Sequence, residues 1–272
     1  MGLRVNTNIF SLTAQTNLAE VSSRLGGNFA RLSSGLRISM AADDAAGLGI
    51  SERMRAQVRS LNQAGRNAND GISLVQTAEG TINELNGNLV RMRELAIQAS
   101  NGTLNTGDRA VIDVEFQALV EEIDRVASQA TFNGINLFDG STTTLTFQVG
   151  TESGESIDVT LEDLSAATLG ITTDVTNATN AQAALDTIDL AIDTVSGLRG
   201  DLGAAQNRLS STVRSIANAA ENLTAAESRI RDVDVAAETA DLTRNSILQQ
   251  AAVSVLGQAN VQPQIALALL QG

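Results

Sequence analysis

The sequence predicts a mainly α-helical protein, an elongated antiparallel bundle of long helices with coiled-coil character and one small β-hairpin. Apolar residues recur at steps of three and four through residues 41–100 and again through residues 181–231, which is the spacing of a coiled-coil seam. The single proline leaves both stretches unbroken, and the six phenylalanines are the only aromatic residues. The core must therefore consist of Ala, Leu, Ile and Val, which suits a thin bundle.

Residues 41–100 organise the chain, because they are expected to form one helix about 90 Å long at about 1.5 Å per residue. Six glycines interrupt it, and each costs up to about 1 kcal/mol relative to Ala: Gly47, Gly49, Gly65, Gly71, Gly80 and Gly87. Partner helices of similar length must therefore stabilise this helix. We expect the glycines to permit close approach between helices.

Shorter elements flank this helix. A first helix is expected over residues 4–33, ending at Ser33-Ser34-Gly35, with a connector over residues 36–44. After Asn101-Gly102, Asp108 is expected to cap a further helix. Its apolar stripe has the same spacing as the long helix: Ile112, Phe116, Leu119, Ile123, Val126 and Ala130.

The period changes to two in the middle of the chain. Apolar and polar residues alternate over residues 145–149 and 157–161, which predicts a β-hairpin that needs a helix to lie on. Residues 165–180 have the composition of an irregular surface segment. Residues 138–200 carry ten acids and one Arg, so this part of the chain is expected to be the most exposed.

The chain returns through a helix over residues 181–231 and a last helix from about Val235 to Ala259, which Pro263 interrupts. The two terminal helices are expected to pair as a second coiled coil. Such a pair leaves part of their apolar stripes exposed, which indicates a subunit that polymerises through its termini. The residues expected to make this contact are Leu18, Val21, Leu25, Phe29, Leu32, Leu248, Val255, Ile265 and Leu269.

Composition excludes most catalytic chemistry. The chain has no His, Cys, Trp or Tyr, and all 18 basic residues are Arg. A Ser-His-Asp triad, a His/Cys zinc site and a catalytic lysine are therefore ruled out. The carboxylates are scattered along helices and fit a solvated face. We expect no enzyme activity, no cofactor and no metal site.

Charge limits the partners. The formal net charge of −13 disfavours nucleic acid, which requires a basic surface. Residues 1–42 are net positive and residues 232–272 are net negative, so the two ends are expected to attract each other. The N-terminus lacks the apolar core of a secretory signal, and no apolar run approaches the length of a membrane span, so no membrane insertion is expected.

The chain resembles bacterial flagellin in a short form. The resemblance lies in RVNTNIFSLTAQTNL at 4–18, the stretch from RLSSGLRISMAADD to SLVQTAEG at 31–80, RMRELAIQASNGT at 91–103, FNGINLFDG at 132–140, and DLGAAQNRLSST and SILQQAAVSVLGQAN near the end. Together these cover both ends and most of the long helices. The resemblance implies a structural subunit of the extracellular flagellar filament, which serves motility as a helical homopolymer.

The resemblance also implies a domain plan and partners. Residues 1–42 and 232–272 would form domain D0, and residues 43–137, 138–180 and 181–231 would form domain D1. The family is exported unfolded through the flagellar secretion channel, with an export chaperone, and meets hook-associated and cap proteins in the filament. Outer domains that larger members insert after the hairpin are expected to be absent.

Recognition by Toll-like receptor 5 is a further implication of the resemblance. In related flagellins the receptor binds the D1 face around the RMRELAIQ stretch. Carried over by position, the receptor-binding residues are Arg91, Leu95, Gln98, Glu115 and Ile188. Leu95 and Ile188 also belong to the predicted helix seams, where a structural role is expected in any case.

Two other functions are compatible with these patterns. A hook–filament junction protein of the same axial family would not form long filaments alone. An amphipathic lipid-binding bundle would usually place many Lys or Arg residues on its polar face, whereas this chain has acids and amides there.

Overall fold

The computed structural model describes residues 7–271, and it describes side chains over residues 7–262. The described chain is mainly helical, as predicted, with long helices that pack antiparallel and two small hairpins. Its helices are α1 (Ile9–Ser34), α2 (Ala45–Ser100), α3 (Thr106–Gln129), α4 (Ala178–Arg231) and α5 (Val235–Gln271). Its strands are β1 (Thr131–Phe132), β2 (Ile135–Asn136), β3 (Thr144–Gln148) and β4 (Ser156–Thr160).

The chain forms two compact units. The terminal unit comprises Met1–Ala56 and Asn222–Gly272, and the central unit comprises Gln57–Glu221. Helices α2 and α4 contribute residues to both units. Each unit has its own packing.

The central unit is a bundle of α2, α3 and α4 whose core follows the predicted seams. A row of buried residues from Val75 to Ala96 on α2 steps by three and four, and the row from Ala181 to Leu209 on α4 does the same. Helix α3 contributes Phe116, which is fully buried. Burial of one large apolar side chain stabilises a fold by about 1.5–3 kcal/mol, so these rows hold the unit together.

Strands β3 and β4 form the predicted hairpin, an antiparallel pair in which Phe147 faces Ile157. The hairpin packs on the bundle at Gly71 of α2. A Cβ atom at Gly71 would lie 3.2 Å from both the Phe147 ring and the Leu209 side chain of α4. Close approach thus requires a glycine here, as the sequence predicts.

Close approach does not explain three other glycines of α2, so the prediction was wrong for them. A Cβ atom at Gly49, Gly80 or Gly87 would meet nothing within 4 Å. These glycines therefore weaken the helix without permitting a contact within the chain.

The segment between β4 and α4 is packed against the bundle, so the prediction of an irregular surface was wrong in part. Its buried apolar residues are Leu164, Ala166, Leu169, Ile171 and Val175. Two α3 carboxylates anchor its backbone: Asp124 accepts from the Ala166 N–H at 2.8 Å, and Asp113 accepts from the Val175 N–H at 2.9 Å. Single backbone anchors leave no periodic pattern in a sequence, which is why the burial was missed.

Local turn and cap signals place the short connections. Asn133 and Gly134, with φ of 49° and 79°, make the turn between β1 and β2, and Asn-Gly is a common pair in such tight turns. The cap of α3 is displaced from Asp108 to Asn105. Asp108 instead completes a capping box, because its carboxylate accepts from the Asn105 N–H at 3.2 Å.

In the terminal unit, α1 and α5 pack as the predicted antiparallel pair. Gly35, with φ of 70°, ends α1 as predicted. The residues that follow pair with the segment between α4 and α5. The Arg37 N–H donates to the Arg231 carbonyl at 2.7 Å, and the Val233 N–H donates to the Gly35 carbonyl at 3.0 Å.

Helix α5 passes through Pro263 and continues to Gln271, so the predicted interruption was wrong. Proline lacks the N–H that would bond to the carbonyl four residues earlier, which is that of Ala259. The Asn8 side-chain amide supplies a donor to this carbonyl at 2.7 Å. The contact from α1 therefore allows α5 to continue without an unpaired carbonyl.

Candidate functional site

The facing sides of α1 and α5 form the first candidate surface, the terminal seam. Its positions are buried or half-buried and step by three and four along both helices, the spacing of a coiled coil. On α1 they are Ser11, Ala14, Leu18, Val21, Leu25, Asn28 and Leu32. On α5 they are Glu238, Leu242, Asn245, Gln249, Ala252, Leu256 and Ala259.

Several seam positions are polar, and hydrogen bonds across the pair satisfy most of them. Asn28 is 6% exposed, and its Nδ2 donates to Glu238 Oε1 at 2.6 Å. Its Oδ1 accepts from Asn245 Nδ2 at 2.8 Å. At the other end of the pair, Ser11 Oγ donates to Asn260 Oδ1 at 2.7 Å.

One ion pair across the helices matches the attraction predicted between the chain ends. Arg31 Nη1 of α1 lies 3.8 Å from Glu238 Oε1 of α5. The carboxylate is mostly buried, whereas the Arg31 side chain is 40% exposed. The basic and acidic ends thus meet at the same carboxylate that Asn28 binds.

The outer faces of α1 and α5 carry large apolar side chains that the pair leaves exposed. On α1 these are Ile9, Phe10, Leu12 and Phe29. On α5 the exposed residues are Val235, Ile247, Leu248, Val253, Val255 and Val261. The terminal pair is thus more polar inside than a usual coiled coil and apolar outside, which is typical of a surface that another molecule covers.

The predicted polymerisation residues divide between these two faces. Leu18, Val21, Leu25 and Leu32 are half-buried in the terminal seam, so they pack within the chain. Phe29, at 57% exposure, lies on the outer face. Ile265 and Leu269 lie outside the residues whose side chains are described.

Leu248 and Val255 of α5 were also predicted to take part in polymerisation, and they lie on the outer face. Leu248 and Val255 are 44% and 55% exposed, and the buried row instead runs through Asn245, Gln249 and Ala252. Polar residues occupy the inner row, so the apolar pattern followed the outer face. Along α1, the spacing of three and four through Leu18, Val21 and Leu25 continues to Asn28. This spacing could have predicted a polar residue in the seam.

The second candidate surface is on the central unit around Arg91 of α2. Its guanidinium Nη2 lies 2.7 Å from Glu115 Oε1 of α3, and its Nη1 lies 3.0 Å from Glu94 Oε2. The hydrogen bond to Glu115, followed by that to Glu94, raises the pKa of Arg91. The Arg91 side chain is 49% exposed, so it is accessible while it is paired.

The five predicted receptor residues are not all on this surface. Arg91, Gln98 and Glu115 are exposed, whereas Leu95 and Ile188 are 2% and 0% exposed. The last two are core residues of the central unit, so their side chains offer no surface to a partner. The structure therefore does not support a direct receptor contact through Leu95 or Ile188, because both side chains are packed in the helix seams.

Exposed apolar residues lie on the same two helices. Val90 and Ile97 of α2 and Val111 and Val114 of α3 are each at least 44% exposed. Val90 precedes Arg91 and Val114 precedes Glu115, so charged and apolar groups alternate here. This combination is typical of a protein-binding surface.

Clusters of metal-binding side chains and membrane-spanning helices are absent from the described part of the chain. Over these residues, no group of three or more carboxylates stands close enough to hold a metal ion. In the same residues, no helix is long and apolar enough to cross a bilayer. The candidate sites are therefore the two surfaces described above.

Comparison with known families identifies both ends of the chain. A model of the bacterial flagellin N-terminal helical region matches residues 5–143, and one of the bacterial flagellin C-terminal helical region matches residues 185–270. The first match includes α1 together with Arg91 and Glu115, and the second includes nearly all of α5.

Relatives match over nearly their whole length. A flagellin of Halalkalibacterium halodurans is 50% identical over 270 residues, covering 98% of this chain and 99% of that protein. A flagellin of Bacillus subtilis is 44% identical, covering 99% and 100%. The flagellar filament 33 kDa core protein of Treponema phagedenis is 42% identical, covering 98% and 99%.

Solved structures share the fold. The crystal structure of Bacillus cereus flagellin, at 30% identity, covers 56% of this chain and 88% of that chain with a TM-score of 0.51. A flagellar hook-associated protein of Vibrio parahaemolyticus, at 16% identity, covers 70% and 100% with a TM-score of 0.60. The second likeness concerns the fold alone, so the fold does not separate these two classes, whereas the sequence matches do.

Proposed function

The chain belongs to the bacterial flagellin family, and from that membership we propose that it is the subunit of an extracellular flagellar filament that serves motility. Flagellins are structural proteins and not enzymes. In this proposal the paired ends, residues 1–42 and 232–272, form domain D0. Residues 43–137, 138–180 and 181–231 form domain D1.

The observation that carries the proposal is the apolar outer face of the terminal pair. Phe10 and Phe29 on α1 and Ile247 and Val253 on α5 are each more than half exposed. Exposed large apolar side chains concentrated on two paired helices are typical of a surface that another molecule covers. A second copy of the same chain is the proposed partner, since heterologous contacts between identical subunits generate a helical filament when the rotation does not close a ring.

Export and the remaining partners follow from the same membership. We propose that the chain is exported unfolded through the flagellar secretion channel with an export chaperone, and that hook-associated and cap proteins contact it in the filament. The polar terminal seam is compatible with this, because a pair with few buried apolar side chains unfolds at low cost.

Assembly of the purified protein tests the filament proposal. The intact chain, salted out with ammonium sulfate, should give filaments of uniform width in negative-stain electron micrographs. A chain without residues 265–272, the apolar stretch IALALLQG, should remain unassembled while the central unit keeps its thermal melting transition. Amorphous precipitate from the intact chain would contradict the proposal, and so would normal filaments from the truncated one.

The same preparation separates the alternatives. A hook–filament junction protein would give short oligomers under conditions in which a filament subunit elongates. A lipid-binding bundle would float with liposomes in a density gradient, whereas the proposed subunit should stay with the soluble fraction.

We also propose that the unassembled chain is recognised by Toll-like receptor 5 through the exposed residues around Arg91. Gln98 and Glu115 are the other predicted contacts whose side chains are accessible. An arginine at a binding hot spot often contributes about 2 kcal/mol or more. An exposed ion pair contributes about 0–1 kcal/mol to folding. Binding and folding effects of Arg91 therefore differ in size.

A matched pair of variants tests this recognition. Arg91→Ala should weaken receptor binding about 30-fold, which corresponds to about 2 kcal/mol, and shift the urea midpoint little. Arg125→Ala on α3 removes an arginine of similar exposure, 52%, which pairs with Glu122. Equal losses of receptor affinity in both variants would argue against a specific role, as would a large midpoint shift in Arg91→Ala alone.

A further inference from the structure

Asn28 occupies a seam position of the terminal pair at which a coiled coil usually has an apolar residue. It is 6% exposed, and the seam neighbours on its own helix are Leu25 and Leu32. Burial of an amide costs free energy unless hydrogen bonds replace those to water. A buried polar residue in a coiled coil therefore calls for a function beyond stability.

Every strong contact of the Asn28 side chain crosses to α5. The Nδ2 atom donates to Glu238 Oε1 at 2.6 Å, and the Oδ1 atom accepts from Asn245 Nδ2 at 2.8 Å. Glu238 and Asn245 stand seven residues apart, one heptad, so Asn28 bridges two successive levels of the partner helix. These contacts define the seam triad, which consists of Asn28, Glu238 and Asn245.

We propose that the seam triad determines the register in which α1 and α5 pair. The apolar seam repeats every seven residues, so a slide of one heptad leaves leucine and alanine packing nearly unchanged. The same slide would place Val21 or Gly35 where Asn28 now contacts α5. Val21 has no polar side chain, and Gly35 lies beyond the end of α1. Only the observed register satisfies the triad.

Charge strengthens this selection. Glu238 is 8% exposed and is bound by Asn28, with the Arg31 guanidinium 3.8 Å away. A slide that brings Val21 to the position of Asn28 would place Arg24 near the carboxylate but would remove the hydrogen bond from Asn28. The opposite slide would place the carboxylate beside Gly35, beyond the end of α1. A buried carboxylate without hydrogen bonds is far more costly than an unpaired amide. Loss of the hydrogen bond from Asn28 to this carboxylate therefore adds to the penalty against either shifted register.

Contacts at the other end of the pair belong to the same register. Ser11 Oγ donates to Asn260 Oδ1 at 2.7 Å, and Asn8 Nδ2 donates to the Ala259 carbonyl at 2.7 Å. Ser11 is 7% exposed, so its contact is as buried as that of Asn28. Neither of these two hydrogen bonds involves a charged group, so we assign register selection to the triad, which contains a buried carboxylate, and these contacts add to it.

Cysteine pairs measure the register directly, since the chain contains no cysteine of its own. The observed register places Leu18 opposite Ala252, so Leu18→Cys with Ala252→Cys reports it. Ser11→Cys or Leu25→Cys with Ala252→Cys reports a slide of one heptad in either direction. The measurement uses assembled filaments under mild oxidation, and gel mobility separates cross-links within a chain from those between chains.

Three seam backgrounds test the triad. In the wild-type seam the in-register pair should cross-link at least about tenfold more than either shifted pair. Replacing the triad by leucine (Asn28→Leu, Glu238→Leu and Asn245→Leu) should bring the three yields within about threefold of one another, while pairing itself persists because apolar replacement of buried polar groups is often stabilising. The swap Asn28→Asp with Glu238→Gln keeps a donor and an acceptor in contact and should restore the wild-type ratio.

Gln249→Leu is the matched control. Gln249 is a half-buried polar seam residue that makes no hydrogen bond across the pair in the part of the chain described, so this change should leave the ratio at its wild-type value. An unchanged ratio in the triple leucine variant would overturn the proposal, as would an equal change in Gln249→Leu or loss of assembly in the swapped variant.

The test rests on the proposed function only through its use of filaments. If the wild-type chain formed no filaments, the proposed function would fail, and the same cysteine pairs would then be read in the unassembled chain. If the unassembled triple leucine variant kept the wild-type ratio of cross-linking yields, the register proposal would be overturned independently of the proposed function.

Discussion

The side-chain amide of Asn8 and the carbonyl of Ala259 are joined by a 2.7 Å hydrogen bond that ties the start of α1 to α5. Pro263 leaves this carbonyl without its usual helical donor. Asn8 also caps α1, because its Oδ1 accepts from the Ser11 N–H at 3.1 Å. The Asn8 side chain thus supplies a donor to a carbonyl of α5 and caps the N-terminus of α1.

The two roles of Asn8 can be separated by substitution. Asn8→Asp keeps the oxygen that caps α1 and loses the donor to Ala259, whereas Asn8→Ala loses both. An unsatisfied buried acceptor costs about 1–3 kcal/mol and loss of a cap costs about 1 kcal/mol. We expect both variants to lower the urea midpoint of filament disassembly, and Asn8→Ala to lower it more because it also loses the cap.

Pro263→Ala provides the matching background. An alanine at 263 restores the N–H that bonds to Ala259, so the donor of Asn8 is no longer needed. The effect of Asn8→Asp on the disassembly midpoint should therefore shrink to less than half in this background. An equal effect in both backgrounds would show that the contact with Ala259 contributes nothing measurable.

The sequence predicted the central unit better than the terminal one, for a physical reason. In α2 and α4 the buried row is apolar, so its period is visible, and positions such as Ile82 and Leu202 were placed correctly. In the terminal pair the buried row contains Asn28 and Glu238, and apolar residues such as Phe29 lie outside it. Hydrophobic periodicity identifies the apolar face of a helix. In the terminal pair this is the outer face, which is available to another molecule.

Hydrogen bonds made by a single side-chain atom could not be predicted from the sequence pattern either. The packed segment before α4 is held by carboxylate contacts such as Asp124 with Ala166. The continuation of α5 past Pro263 depends on the amide of Asn8. Neither contact involves a periodic pattern, so each is recognised only when the chain is folded.

Two glycines of α2 should respond in opposite directions to the same change. Gly87 is exposed, and a Cβ atom there would meet nothing within 4 Å, so Gly87→Ala should stabilise the central unit by about 0.5–1 kcal/mol. Gly71→Ala would press a methyl group against Phe147 and Leu209 at 3.2 Å and should destabilise it by about 1–3 kcal/mol. Urea unfolding of the unassembled chain measures both.

Gly80→Ala serves as a replicate of the open position, since Gly80 is also exposed with nothing within 4 Å. A loss of stability in both Gly80→Ala and Gly87→Ala would contradict the account of these glycines as open positions. It would also point to a neighbouring surface that the added methyl group meets.

Acid should weaken the start of α4 through Asp174. Its carboxylate accepts from Asn180 Nδ2 and from Thr176 Oγ1, both at 2.8 Å, and these hydrogen bonds lower its pKa from the ordinary 3.8. A carboxyl group whose pKa is lower in the folded state contributes its full stability above pH 3.8 and loses it as the pH falls through the folded value. Stability of the central unit should therefore fall on acidification from about pH 6 to about pH 3.

Asp174→Asn tests the assignment, because it removes the titrating group. The urea midpoint of this variant should change less between these two pH values than that of the wild type. Asp186→Asn on α4 is the control, since Asp186 accepts no hydrogen bond in the described part of the chain. An Asp174→Asn profile parallel to the wild type would contradict the role of this carboxylate.

Amide exchange should distinguish the terminal pair from the central unit. Over the described side chains of α1 and α5, Ala14 and Ala259 are the apolar residues that are fully buried, so the pair gains little from burial. We expect α1 and α5 to exchange rapidly in the unassembled chain and to be strongly protected in the filament. Strong protection of both helices before assembly would contradict this.

Phe29 should contribute to assembly without contributing to folding. It is 57% exposed beside the buried Asn28, so its ring adds little to the chain alone and is available to a neighbouring copy. Burial of a phenylalanine contributes about 1.5–3 kcal/mol, so Phe29→Ser should raise the critical concentration for filament growth about 10- to 100-fold. Sedimentation over a range of protein concentrations measures this, and the thermal transition of the central unit should not move. Arg24→Ser removes a side chain of comparable size from the same helix, at 62% exposure, and should change the critical concentration little. Equal changes in the two variants would mean that any shortened side chain on α1 disturbs assembly, and the apolar outer face would then not be the contact surface.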